Sequence, residues 1–79
     1  MSPTVFKKSG LRFAFHSNEE SRMHVHVTYE KYEAKFWLEP SIELAHNNGL
    51  KSTQIMRARR LIEEHEDEIK AQWERHFGS

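Results

Sequence analysis

The feature that most restricts the fold is a change of hydrophobic period partway along the chain. From Leu11 to Leu38 apolar residues alternate with polar ones, which is the period of strands with one buried face. From Ser52 onward they recur every three or four residues, which is the period of an amphipathic helix. Because a sheet and a helix can hide their apolar sides by packing together, the sequence predicts an α+β fold of two layers.

The alternating half predicts an antiparallel sheet of four to five strands. Four strands are indicated at Thr4 to Lys8, Leu11 to His16, Met23 to Thr28 and Tyr32 to Leu38. Ser9-Gly10 and Glu30-Lys31 are expected to turn hairpins, and the polar residues 16–22 to form an exposed loop.

The segment after Pro40 is ambiguous, since proline cannot continue a central strand. Ser41 to His46 fits either one helical turn or a short edge strand, and we favour the strand. Asn47-Asn48-Gly49 is a turn on either interpretation.

The periodic second half predicts one long C-terminal helix over residues 52–77, with Ser52 able to cap its start and Gly78 its end. The chain has 79 residues, so we expect one domain, 1–79, in which residues 1–46 are mostly sheet.

Charge and composition exclude several classes of function. Twelve basic residues balance twelve acidic ones, so nucleic-acid binding is possible but is not indicated by net charge. There is no cysteine, which excludes disulfides and thiolate metal sites. No apolar run is long enough for a membrane span or a signal peptide, so we expect a cytoplasmic protein with no membrane partner.

The stretch "RMHVHV", Arg22 to Val27, is the most distinctive local pattern because two histidines alternate with valines. If the helix covers the valine side, the histidines face the other way and are open to a ligand. The residues expected on that open face are Arg12, His16, His24, His26, Lys35 and Trp37, with Glu33 near a corner.

Four interpretations of this face remain open. A metal would need a third ligand besides His24 and His26, from His16, Glu33 or a partner chain. Acid–base chemistry on a phosphate would use the two histidines with a neighbouring cation. The face could instead dock a protein or nucleic acid, or simply be a solvated sheet surface.

We assign candidate roles accordingly, with no cofactor and no metal. The candidate catalytic residues are His24, His26, Arg22 and Lys35, and the candidate binding residues are Arg12, His16 and Trp37. Two further features have simpler explanations. His65 falls in the apolar stripe of the helix and is expected to be packed. Arg57, Arg59 and Arg60 form a basic cluster that hints at an acidic partner, but Arg59 and Arg60 stand four residues before Glu63 and Glu64, and pairing with them is the simpler interpretation.

Several blocks together resemble the domain-of-unknown-function family 4160, small bacterial and phage proteins. They are "PTVF" at 3–6, "LRFAFHSNEE" at 11–20, "RMHVHV" at 22–27, "EAKFWLEP" at 33–40 and the end of the helix at 73–78. The resemblance implies a neighbouring gene for a second small protein, of the domain-of-unknown-function family 2442. It also implies that the two proteins form a type II toxin–antitoxin module in which this chain is the toxin.

Our leading hypothesis is therefore a small toxin-like protein that binds a cognate antitoxin and acts through the His-x-His face. The alternatives are a non-catalytic protein- or nucleic-acid-binding regulatory module and a metal-dependent hydrolase. An exposed edge strand at Thr4 to Lys8 or Ser41 to His46 could also pair with a second copy of the chain.

Overall fold

Within the described part of the chain, five strands form one antiparallel sheet in which each strand pairs with its neighbours in sequence. The computed structural model describes residues 4–16 and 22–78. The elements are β1 (Thr4–Lys8), β2 (Leu11–Ala14), β3 (His24–Tyr29), β4 (Tyr32–Trp37), β5 (Glu43–Asn48), α1 (Ser52–Glu64) and α2 (Glu66–Phe77). The predicted α+β class is confirmed, while residues 17–21 of the predicted loop lie outside the described residues.

Both predicted hairpins are present, and positive φ angles make their tight turns. Ser9 has φ 57° and Gly10 φ 79°, which is the combination that a two-residue turn between right-twisted strands requires. Glu30 has φ 54° in the second turn, where Tyr29 pairs with Tyr32. This second turn fixes the register between β3 and β4, and with it the neighbours of both histidines.

One face of the sheet packs with the helices into a single hydrophobic core. The apolar residues predicted for the sheet side are each at most 1% exposed: Leu11, Phe13, Phe15, Val25, Val27, Ala34, Phe36 and Leu38. The helices contribute Ala58, Leu61, Ile62, Ile69 and Trp73, while Ile55 is partly buried and Phe77 is 37% exposed. The period of the sequence therefore identified the buried side of each layer.

The prediction of one uninterrupted helix is wrong, because α1 ends at Glu64 and α2 begins at Glu66. His65 between them has φ −114° and ψ 21°, yet its N–H still donates to the Leu61 and Ile62 carbonyls at 3.0 and 3.2 Å. Its ring packs 4.8 Å from Phe6 of β1, as expected for a packed histidine.

The start of α2 explains why a second helix can begin at this point. Glu66, Asp67 and Glu68 fill its first turn, where carboxylates interact favourably with the helix dipole.

Among the described residues, no helix is long and apolar enough to cross a bilayer.

The ambiguous segment forms an edge strand, as favoured, although β5 runs from Glu43 to Asn48 rather than over 41–46. Asn47 and Asn48 thus belong to the strand, and the turn falls at Gly49, with φ 102°. The Asn47 side chain exchanges two hydrogen bonds with the Leu50 backbone, at 2.9 and 3.0 Å. These bonds connect the end of the sheet to the start of α1, where Lys51 occupies the N-cap in place of the predicted Ser52.

Candidate functional site

The register of β3 and β4 brings four of the predicted site residues together on the sheet face opposite the valines. His24 lies opposite Trp37, and His26 lies opposite Lys35. Val25 lies opposite Phe36, on the core side. The histidines and valines therefore point to opposite faces, as the alternation predicts.

The expectation that both histidines are open to solvent is wrong. His24 is 0% exposed and His26 only 5% exposed. The His24 ring is enclosed by aromatic rings, with centroids 5.1 Å away for Trp73 of α2 and 5.9 Å away for Trp37. A ligand from solution consequently cannot contact His24 in this conformation.

The contacts of His24 are those of a structural residue. Its Nδ1 lies 2.7 Å from the carbonyl oxygen of Arg22, and since a carbonyl can only accept, Nδ1 carries a proton and donates. Close by, the Met23 N–H donates to the Glu39 carboxylate at 3.2 Å, and Arg22 Nε donates to the Glu39 carbonyl at 3.0 Å. Together these bonds tie the start of β3 to the chain that leaves β4.

A second group forms around His26, which we call the His16–His26–Glu33 cluster. His26 Nδ1 donates to Glu33 Oε2 at 2.8 Å, because the ionised carboxylate can only accept. The His16 ring stacks on the His26 ring with centroids 3.6 Å apart and planes 8° apart. The ligand atoms of the three side chains all lie within 4.8 Å of one another.

Access to this cluster comes through its outer members. The His26 side chain is 7% exposed, whereas that of Glu33 is 41% exposed, and His16 is half-buried. The cluster therefore combines one fixed imidazole with two side chains that face solvent.

The remaining cations of the site gather at Trp37, in what we call the Trp37 patch: Arg22, Lys35 and Trp37. The Arg22 guanidinium carbon lies 4.1 Å from the centroid of the indole ring, and Lys35 Nζ lies 4.4 Å from it. Both distances are within the range of cation–π attraction. Arg22 is exposed and the other two residues are half-buried, so a partner can contact the patch.

Arg12 is not part of the Trp37 patch. It lies opposite Thr28, which in turn lies opposite Glu33, so Arg12 shares a row of the sheet with the carboxylate of the cluster. Its Nε donates to Thr4 Oγ1 of β1 at 2.9 Å. The seven predicted site residues thus divide between two neighbouring places on the sheet, with His24 buried.

The predicted arginine cluster is divided as well. Arg57 and Arg60 line a concavity of about 460 Å³ between α1 and the first hairpin, together with Lys8. Arg59 instead donates to the carbonyl of Ile42 at 3.0 Å. One arginine therefore connects α1 to the chain before β5, and the other two contribute to a basic groove between α1 and the first hairpin.

Sequence reasoning did not identify Glu39 and Trp73 as parts of the site. It named Glu33 as a possible third metal ligand but placed it near a corner of the sheet rather than beside His26. The register of the β3–β4 hairpin puts Glu33 diagonally next to His26, which a count of residues outward from Glu30-Lys31 would have found. Trp73 is far from His24 along the chain, so no local pattern connects them.

Comparisons with known proteins give one family. The sequence-family model described as a domain of unknown function, DUF4160, matches residues 10–74. This range includes every predicted site residue. No curated protein and no solved structure matches the chain. The match covers most of the 79 residues, and the chain belongs to the DUF4160 family.

Proposed function

We propose that this chain is the toxin component of a bacterial type II toxin–antitoxin module and binds a small cognate antitoxin in the cytoplasm. The observation that carries the proposal is the exposed outer strand β5, which runs beside the Trp37 patch. The family resemblance described above supplies the expectation of a small partner protein.

β5 has the properties of a strand that accepts another strand. All six of its residues are exposed, and within residues 4–16 and 22–78 its neighbour in the sheet is β4 alone. An edge strand presents backbone N–H and C=O groups to any extended segment that can pair with them. Leu44, 39% exposed, adds an apolar contact on one side of this edge.

The register aligns β5 with the Trp37 patch. Glu43 lies opposite Trp37 and His46 opposite Lys35. If a partner strand paired with β5, every second side chain of that strand would therefore lie on the same face as the Trp37 patch, with only β5 between them. Tryptophan and arginine are the residues that most often dominate binding energy at protein interfaces. Two cations beside the indole ring favour a partner segment with carboxylate or aromatic side chains.

The zero net charge also favours a protein partner. Nucleic-acid binding depends on neutralising phosphates with clustered cations, and here acidic groups balance the basic ones. Recognition would then depend on local contacts at β5 and the patch rather than on long-range attraction.

Because His24 is sealed, any direct action on a cellular target must use the exposed groups. Within this proposal Arg22, Lys35 and Trp37 contact the antitoxin, and the His16–His26–Glu33 cluster supplies imidazole and carboxylate groups that solvent reaches through His16 and Glu33. His24 then has a positioning role: its hydrogen bond to the backbone carbonyl of Arg22 holds Arg22 in place.

Expression in a bacterium, alone and together with the protein encoded by the adjacent reading frame, tests the proposal. We expect arrested growth with the chain alone, rescue with the partner, and co-purification of the two proteins. Normal growth despite soluble expression would exclude the toxin role. Co-purification without arrest would instead support the non-catalytic regulatory module, which is the competing hypothesis from another class.

A further inference from the structure

We infer that the His16–His26–Glu33 cluster is a binding site for a first-row divalent cation of the Zn²⁺ type. Three separate segments supply its ligands: the chain after β2, strand β3 and strand β4. Two imidazoles and one carboxylate form a donor set that suits Zn²⁺, Co²⁺ and Ni²⁺. The inference does not depend on the toxin proposal.

The spacing of the ligand atoms is close to what such an ion requires. Ligands about 2.0–2.1 Å from a tetrahedral zinc lie roughly 3.3 Å from one another. The atoms here are within 4.8 Å, so closure requires movements of about 1.5 Å or less. Glu33 and His16 can make them, because both are partly exposed, whereas buried His26 is the fixed point.

The shared proton between His26 and Glu33 marks where the ion would bind. Nδ1 and Oε2 are 2.8 Å apart with the proton between them. An ion in place of that proton would lengthen the distance between the two atoms by about 0.5 Å, and the displaced proton would move to Nε2 so that the ring stays neutral. Ion and proton thus compete for the same pair of atoms.

The histidine stack gives the inference a structural signature. A metal lies in the plane of each imidazole ring that binds it. The rings of His16 and His26 are nearly parallel with centroids 3.6 Å apart, so their planes cannot both pass through one ion. His16 must therefore rotate out of the stack when the ion binds. The three protein ligands would leave a fourth position for water, as in zinc sites that remain open.

Nearby cations limit the affinity of this site. Arg12 shares a row of the sheet with Glu33, and Lys35 lies opposite His26. Positive charge at these positions opposes a second cation, so binding will be weaker than in a closed structural site.

Calorimetric titration of tag-free protein with ZnCl₂ tests the inference. We expect one ion per chain, with affinity at least roughly tenfold lower in His16→Ala and in Glu33→Gln. His46→Ala is the matched control, since His46 is an exposed histidine on β5 outside the cluster, and it should bind like the unmodified chain.

A second measurement does not depend on comparing the affinities of variants. In NMR spectra, Zn²⁺ should shift the ring signals of His16 and His26 together at one equivalent and abolish contacts between the two rings. Failure to bind Zn²⁺, or equal loss of binding in His46→Ala and His16→Ala, would overturn the inference. A stack that persists at saturation would do so too. None of these outcomes bears on growth arrest, so the two proposals fail separately.

Discussion

The indole ring of Trp73 lies 5.1 Å from the imidazole ring of His24, measured between centroids. This contact places a side chain of α2 over the start of β3, and it turns a histidine that the sequence suggested as a ligand into part of the interior. Trp73 also meets Phe15 edge to face at 5.3 Å. A single residue therefore joins the hydrophobic core to the polar side of the sheet.

Replacing Trp73 should be costly for this reason. Trp73→Ala removes a side chain that is 7% exposed and leaves a cavity between Phe15 and His24, so we expect the free energy of unfolding to fall by about 3–5 kcal/mol. Chemical denaturation followed by circular dichroism measures the change. Met56→Ala, at a position 67% exposed on α1, should alter it by no more than about 0.5 kcal/mol. Similar losses for the two variants would show that Trp73 does not seal the interior.

A second prediction concerns Gly49, where β5 turns toward α1. Gly49 has φ 102°, and a methyl group there would overlap the ring of Tyr32. Gly49→Ala should therefore lower the free energy of unfolding by about 1–3 kcal/mol, measured by the same denaturation experiment.

Ser9→Asn is the matched control for Gly49→Ala, because Ser9 also has positive φ but asparagine before glycine suits a two-residue hairpin turn. This control should show no loss of stability. A neutral Gly49→Ala would contradict the described turn.

A third prediction tests whether the cognate partner binds at the Trp37 patch or elsewhere on the surface. Lys35→Glu reverses a charge 4.4 Å from the indole ring and should weaken binding of the cognate partner by at least about tenfold, or about 1.4 kcal/mol. Lys7→Glu makes the same change of charge at an exposed position of β1, at the opposite edge of the sheet.

Calorimetric titration of both variants with the purified partner gives the comparison. Lys7→Glu should bind within about twofold of the unmodified chain, because exposed charges far from a contact are screened. If both variants bind equally well, the partner uses another surface.

The sequence predicted the layers well because each has a simple period. Alternation identified the core-facing side of β2, β3 and β4, and Ser9-Gly10 and Glu30-Lys31 positioned the hairpins. The break at His65 was missed because the apolar stripe continues through it, from Ile62 to Ile69, and a small backbone irregularity does not interrupt that stripe.

The candidate site was harder to predict than the fold. Which residues share the polar face follows from the period, but exposure depends on what packs against that face from elsewhere in the chain. His24 is sealed by Trp73, a contact that only the tertiary structure creates. The pairing of His26 with Glu33, by contrast, follows from hairpin register and was within reach of the sequence.

Hydrogen exchange of the chain with and without its cognate partner tests the central claim, that the partner adds to the edge at β5. We predict that binding slows exchange of backbone amides within Glu43–Asn48 and leaves those of Thr4–Lys8 on the other edge unchanged. A complex that protects β1, or protects the basic groove of Lys8, Arg57 and Arg60 while β5 exchanges as before, would contradict it.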